Sequence, residues 1–218
     1  MEFNFTRATS ADLAFITEAI YCAERSGASR TWFESILGIE KNKLKEIIKN
    51  VLHEEIDGFE WCLNNFLIGK NNDVNACCCS AWIEQDKTKS SALIKSDVYR
   101  YFFGSAVLIK ESQKLKLLAD IAVEREAKVL QIDCVYVDGE FRGNNLLKKM
   151  VGNFISLYST NMEIKKMQAT VIAENIASIK AFNKAGFQEV VRTKSAEKDI
   201  LSFFMGTGQV LMERNIHI

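Results

Sequence analysis

Residues 129–150 read VLQIDCVYVDGEFRGNNLLKKM, an apolar run, then an acidic glycine-bearing joint, then immediate helical periodicity. That change of period demands a buried strand ending in a sharp turn at the start of a helix, which commits the chain to layers of α and β structure. A helix start carries N–H donors without intrahelical partners and a partial positive charge, and together they suit an anion, above all a phosphate. Gly143 lets the backbone bend and approach a ligand, and Arg142 adds a cation beside it. Asn144 and Asn145 tolerate left-handed backbone and can help form an anion-binding nest. A plain strand-to-helix turn with a solvated Arg142 would leave the same letters, so the joint alone keeps both readings open.

The remaining chain predicts one organised unit over 1–218. FNFTRATSADLAFITEAI reads as a short strand followed by a Thr9-x-x-Asp12 capping box and a helix. Helical patterning continues, with breaks near Gly27 and Gly38, through KNKLKEIIKNVLHEEI. CLNNFLIGKNNDVNACCCSAWIEQD predicts a hairpin turning at 69–73. Residues 87–128 are expected to be a helical insertion. A strand over 130–137 follows, then a helix from about Asn144, a strand in KKMQATVI, a helix from Asn175 to Ala185, and strands in FQEVVRT and QVLMERNI. Proline is absent throughout, so turns fall to Gly, Asn, Asp and Ser.

Composition excludes more than it selects. Basic and acidic residues balance at 28 each, which argues against nucleic acid or an anionic membrane as partner. No apolar run is long enough to span a bilayer, and MEFNFTRATS lacks a secretory pattern, so a cytoplasmic location is expected. Three of the six cysteines are consecutive, Cys77 to Cys79, and alternate faces of a strand; none is spaced C-x-x-C. With only His53 and His217 available, no metal site is expected.

A second segment, AENIASIKAFNKAGFQEV, places Asn175 at a strand end, then a helix with Gly186 as its C-terminal cap, then Phe187. Phe182 lies four residues before that glycine, so its ring is expected in the cleft of the Gly143 loop. Together the two segments resemble the GCN5-related N-acetyltransferase (GNAT) superfamily. Its V-x-P-x-x-R-G-x-G-x-G/A loop is similar to VDGEFRGNNLL here, and its N-x-x-A-x-x-x-Y-x-x-x-G-F segment to Asn175–Phe187. TRATSADL also resembles the family's opening strand and first helix.

The resemblance implies a mixed, mostly antiparallel central sheet with helices on both faces and splayed fourth and fifth strands. It implies acetyl-CoA as cosubstrate, its pyrophosphate on the amides of Arg142, Gly143, Asn144, Asn145, Leu146 and Leu147. The pantetheine arm would run beside Val135, Tyr136 and Val137 like an added strand, with Asn175 reaching it and Phe182 near the sulfur. Two departures stand out. Asn145 and Leu147 replace the second and third loop glycines, and Phe182 replaces a tyrosine able to protonate the leaving thiolate. The implied activity is acetyl transfer to a primary amine by direct attack in a ternary complex; the alternative is a non-catalytic acyl-CoA-binding or sensing module.

Deprotonating the amine calls for a base, and Asp133, expected by strand alternation to share a face with Val135 and Val137, is the candidate. Glu84 and Glu174 are weaker candidates at strand ends. Trp32, Trp61, Trp82, Tyr101 and Phe102 are candidates to line an acceptor pocket. The acidic run Glu54, Glu55, Asp57, Glu60 is read as a solvated helix face or a lure for a cation. Expected partners are acetyl-CoA and an unidentified amine, with a homodimer as one assembly state and no nucleic acid or membrane.

Overall fold

The computed structural model describes residues 1–161 and 163–216, with Lys198 described by its backbone alone. Among the described residues, seven strands form one sheet: β1 (Asn4–Arg7), β2 (Phe66–Asn71), β3 (Val74–Ile83), β4 (Leu130–Val137), β5 (Lys166–Ile172), β6 (Gln188–Arg192) and β7 (Gln209–Asn215). Their order is β1-β2-β3-β4-β5-β7-β6. All neighbouring pairs are antiparallel except β4 and β5, which are parallel because a helix crosses between them. The expected mixed sheet is therefore present.

That crossover helix, which we number α7 (Leu146–Tyr158), packs with α8 (Ile176–Lys184) on one face. The other face carries α1 (Leu13–Arg25), α2 (Trp32–Leu37) and α3 (Lys41–His53). Between β3 and β4 lie α4 (Ser91–Phe103), α5 (Ser105–Lys110) and α6 (Ser112–Ile121). Alternation sets which core each strand residue enters. Cys77 and Cys79 face the α7 side while Cys78 faces the α1 side, all three buried thiols.

Local chemistry explains most boundaries. The Thr9–Asp12 capping box forms, and a second one, Thr31 with Glu34, starts α2. The β2–β3 turn falls at Asn72 and Asp73, narrower than 69–73, with Asn72 taking positive φ. Gly69 lies inside β2 instead, where a side chain would collide with Cys77 and Phe5. α7 begins at Leu146, two residues later than expected, because Asn145 adopts left-handed geometry (φ 55°) before it.

Cys134 is the informative irregularity. It has φ 49°, and the β3–β4 register slips by one residue there, so β4 carries a bulge. Val135 and Val137 pack toward the α7 core, whereas Cys134 and Tyr136 join the α1 core. The bulge resets the alternation, so Asp133 lies with Cys134 and not, as simple period-two counting had it, with Val135 and Val137.

Candidate active site

β4 and β5 pair only from Leu130, Gln131 and Ile132 to Met167, Gln168 and Ala169. Beyond Ile132 the strands separate, and the β4 edge from Asp133 to Val137 has no β5 partner. Thr170 stands on the opposite lip with its buried hydroxyl unpartnered among the described residues. The gap opens into a cavity of about 2270 Å³, more than twice a typical small-molecule pocket of about 300–1,000 Å³. That is room for two ligands.

One half of the cavity is built from backbone. Asp138 accepts from the Glu140 N–H at 3.0 Å and folds residues 139–141 into a tight turn; Asn144 then donates to the Phe141 carbonyl at 2.9 Å. These side-chain bonds hold the loop while leaving its amides unpaired. Among the described residues, the N–H groups from Gly143 through Lys148 meet no hydrogen-bond acceptor. Gly143 sits at φ +84°, and the space beside its Cα is open, so a side chain there meets backbone strain and would occupy the ligand's space without striking the protein. Asn145 keeps the turn in place of a glycine. Leu147 is 6% exposed, belongs to the α7-side core and borders the cavity. Arg142, Lys148, Lys180 and Lys184 line this half; the last three were not singled out from the sequence, where they look like ordinary surface lysines.

The Asn175–Phe187 segment proves to be a helix with both ends locked. Asn175 accepts from the Ser178 N–H at 3.1 Å as N-cap, and its Nδ2 donates to Ser26 Oγ at 2.8 Å, tying α8 to the end of α1. At the other end Gly186 takes φ +90°, Phe187 N–H bonds Phe182 O and Gly186 N–H bonds Asn183 O. This is a Schellman motif, and its usual apolar contact is the edge-on Phe182–Phe187 pair, 5.1 Å between ring centres. Phe182 touches the cavity yet is only 3% exposed, so its first task is to close the helix.

The other half is built from side chains drawn from five segments. Asp133 on β4 receives Arg125 Nη2 at 2.7 Å, and its own following amide, Cys134 N–H, at 2.7 Å. Arg125 lies over Trp82, 4.8 Å from the ring centre, and stands 3.7 Å from Glu60, which also pairs with Lys95 of α4. Glu60 is 2% exposed, so the reading of its acidic run as a solvated helix face fails: the run follows α3, and its last member turns inward. Glu24, near the end of α1, lines the same space. Burial pushes its carboxyl up to about 7, opposed by Lys95 and reinforced by Glu60 and Asp133. Burial also raises Asp133, with Glu60 adding, while Lys95 and Arg125 outweigh burial and hold Glu60 below the ordinary range. Glu24 escaped the sequence reading because one glutamate in an amphipathic helix carries no signal.

The weaker candidates are both engaged in hydrogen bonds, and Glu84 also borders the cavity. Glu84 is buried and accepts from Ser91 N–H, Ser91 Oγ and Trp82 Nε1, pinning the start of α4. Glu174 accepts from the Thr207 N–H and hydroxyl. Of the five aromatic candidates, Trp32 lines the cavity, Trp61 is fully buried, Trp82 lies beneath Arg125, Phe102 packs against the α1 core and Tyr101 is 80% exposed. Among the described residues no cluster of His, Cys, Asp or Glu is arranged to hold a metal, and no helix is long and apolar enough to cross a membrane. His217 lies outside the described residues.

No protein-family model and no curated protein matches the chain. Solved structures do. An N-acetyltransferase from Staphylococcus aureus aligns over 98% of this chain and 100% of its own, at 14% identity and TM-score 0.59. A GNAT-family acetyltransferase from Streptococcus pneumoniae aligns over 99% and 100%, at 14% identity and TM-score 0.54. The N-acetylglutamate synthase of Neisseria gonorrhoeae, complexed with coenzyme A and N-acetyl-glutamate, aligns over all of this chain but 36% of its own, at 14% identity and TM-score 0.52. These likenesses establish the fold: the chain has the GNAT architecture.

Proposed function

We propose that the protein is an acetyl-CoA-dependent N-acetyltransferase, acting on a primary amine by direct attack in a ternary complex. The observation that carries this reading is the unpaired β4 edge leading straight into the unpartnered amides of Gly143–Lys148. An extended pantetheine arm fits the edge near Val135, Tyr136 and Val137, as an added strand would. A pyrophosphate fits the amides of the Arg142–Leu147 loop, and Lys148, Lys180 and Lys184 suit further phosphate charge. The likeness to a synthase solved with coenzyme A supports the same ligand. Asn175, already engaged as a cap, borders the arm, and Phe182 closes the far wall.

The bound thioester supplies the acyl group: a C–N bond forms, the C–S bond breaks and the thiolate leaves. Phe182 has no proton to give, so that departure relies on water. The chain's own tasks are to orient the amine and remove its proton. Asp133 belongs to the proposed catalytic carboxylates, but both its oxygens already accept hydrogen bonds. Glu24 has the freer carboxyl, and with its titration near 7 it is matched to a general base. In this division Glu24 takes the proton while Asp133 and Arg125 set the local field.

Thiol release from acetyl-CoA, followed against pH with an amine acceptor, tests the assignment. The rate should rise through about pH 7 as Glu24 ionises. Glu24→Gln should erase that limb and slow turnover about a hundredfold. Asp133→Asn should change the rate while keeping the limb. A limb unchanged in Glu24→Gln removes it from the base role, and acetyl-CoA binding without release to any amine favours a non-catalytic acyl-CoA-binding module.

A further inference from the structure

The space beyond the β4–β5 gap has a charged floor and an aliphatic roof. On the floor, Glu24, Glu60 and Asp133 face Lys95 and Arg125, three carboxyl groups against two cations. Glu84 lines the same cavity and also acts on Arg125, so with all of them ionised the carboxylates outnumber the cations. Glu60 sharpens the point: it is 2% exposed, it borders the cavity, and its Oε2, 3.7 Å from Arg125, has that ionic neighbour but no hydrogen-bond donor among the described residues. A buried carboxylate oxygen held only by a distant ion pair still has room for a hydrogen-bond donor.

The roof is of opposite character. α5 buries none of its residues and α6 only Ile121, although both carry several aliphatic side chains. Leu108, Leu115 and Leu118 pack partly against the α1 core and are half-buried, and they also line the cavity. Trp32 and Tyr99, with ring centres 5.8 Å apart, line the same cavity. An amphipathic helix pair over an open apolar ceiling is stabilised when an apolar body fills the space beneath it. The same helices stand over the cavity, which suits a small molecule better than a side chain on a folded protein.

We infer that the acceptor is a small amine carried on an apolar body, its ammonium seated against Glu24 and Glu60 Oε2 and its body beneath Leu108, Leu115 and Leu118. The assignment of this amine as acceptor rests on the acetyl-transfer reading; its binding does not.

The test is calorimetric titration of the full chain with n-butylamine, n-hexylamine and n-octylamine, with and without acetyl-CoA, alongside free lysine. Affinity should climb about fourfold per added methylene, and lysine should bind far more weakly than hexylamine. Leu118→Asp and, separately, Leu115→Asp should flatten the series at least tenfold at octylamine. The wild-type series stands alone if either variant fails to fold. A flat wild-type series, or tighter binding of lysine, overturns the inference. Thiol release in the same samples separates the two claims. Chain-length-dependent binding without release leaves the amine-binding site standing and sinks its assignment as an acetyl acceptor. Release to lysine with a flat alkylamine series does the reverse.

Discussion

The two halves of the cavity are made of different material. The Gly143 half is built on backbone: amides aimed by an Asx turn, a left-handed Asn145 and a helix start. The Glu24–Asp133 half is side chains, with Glu24 from α1, Glu60 from the stretch before β2, Lys95 from α4, Arg125 from the stretch after α6, and Asp133 from β4. A backbone site tolerates changes of side chain and fails when the backbone is forced. A site of converging charges fails when any one of them is removed.

The largest expected effect follows from that contrast. Arg125→Met leaves Asp133 and Glu60 short of a cation and should cost about 3 kcal/mol of folding stability, the low end for a broken buried pair because Asp133 keeps some solvent; urea unfolding measures it. Gly143→Val comes next, demanding φ +84° of a β-branched residue, a strain of about 1–3 kcal/mol. It should weaken acetyl-CoA at least tenfold by titration while far-ultraviolet dichroism stays native. Gly186→Ala should lower stability by about 1 kcal/mol, since alanine at φ +90° is strained.

A subtler effect concerns pH. Glu24 titrates near 7 in the folded chain against 4.5 for a free glutamate, so the folded state holds its proton to higher pH than the unfolded state. Stability contributed by that group therefore falls as pH rises between those values. Glu24→Gln should remove this slope, which unfolding measured at pH 5 and pH 7.5 would reveal. The smallest expected effect is Asn145→Gly. Glycine accepts the left-handed geometry at least as well, so acetyl-CoA affinity should stay within about twofold. A large loss there would mean that the Asn145 side chain, not the backbone, serves the loop.

The same contrast explains what could be read from the letters. Strand, turn and helix around Gly143 are contiguous, and their requirements for glycine, asparagine and periodicity are local, so the loop was legible. So was the C-terminal cap at Gly186, although the geometry recasts Phe182 as the partner of Phe187 in a helix stop. Asp133 was identified as a residue of interest, yet its direction was misjudged, because a single left-handed residue at Cys134 shifts the alternation and no propensity marks it. Glu60 looked like one member of a solvated run and proved to be buried. Glu24, Lys95 and Arg125 lie far apart in sequence and acquire meaning only when α1, α4 and the segment after α6 meet over β4.

The most direct test of the central claim is calorimetric titration of the purified chain with acetyl-CoA, repeated with Gly143→Val. Saturable one-to-one binding that weakens at least tenfold in the variant is the expected result. Absent binding, or equal affinity in both proteins, would contradict the assignment of the β4 edge and the Gly143 loop as the cofactor site.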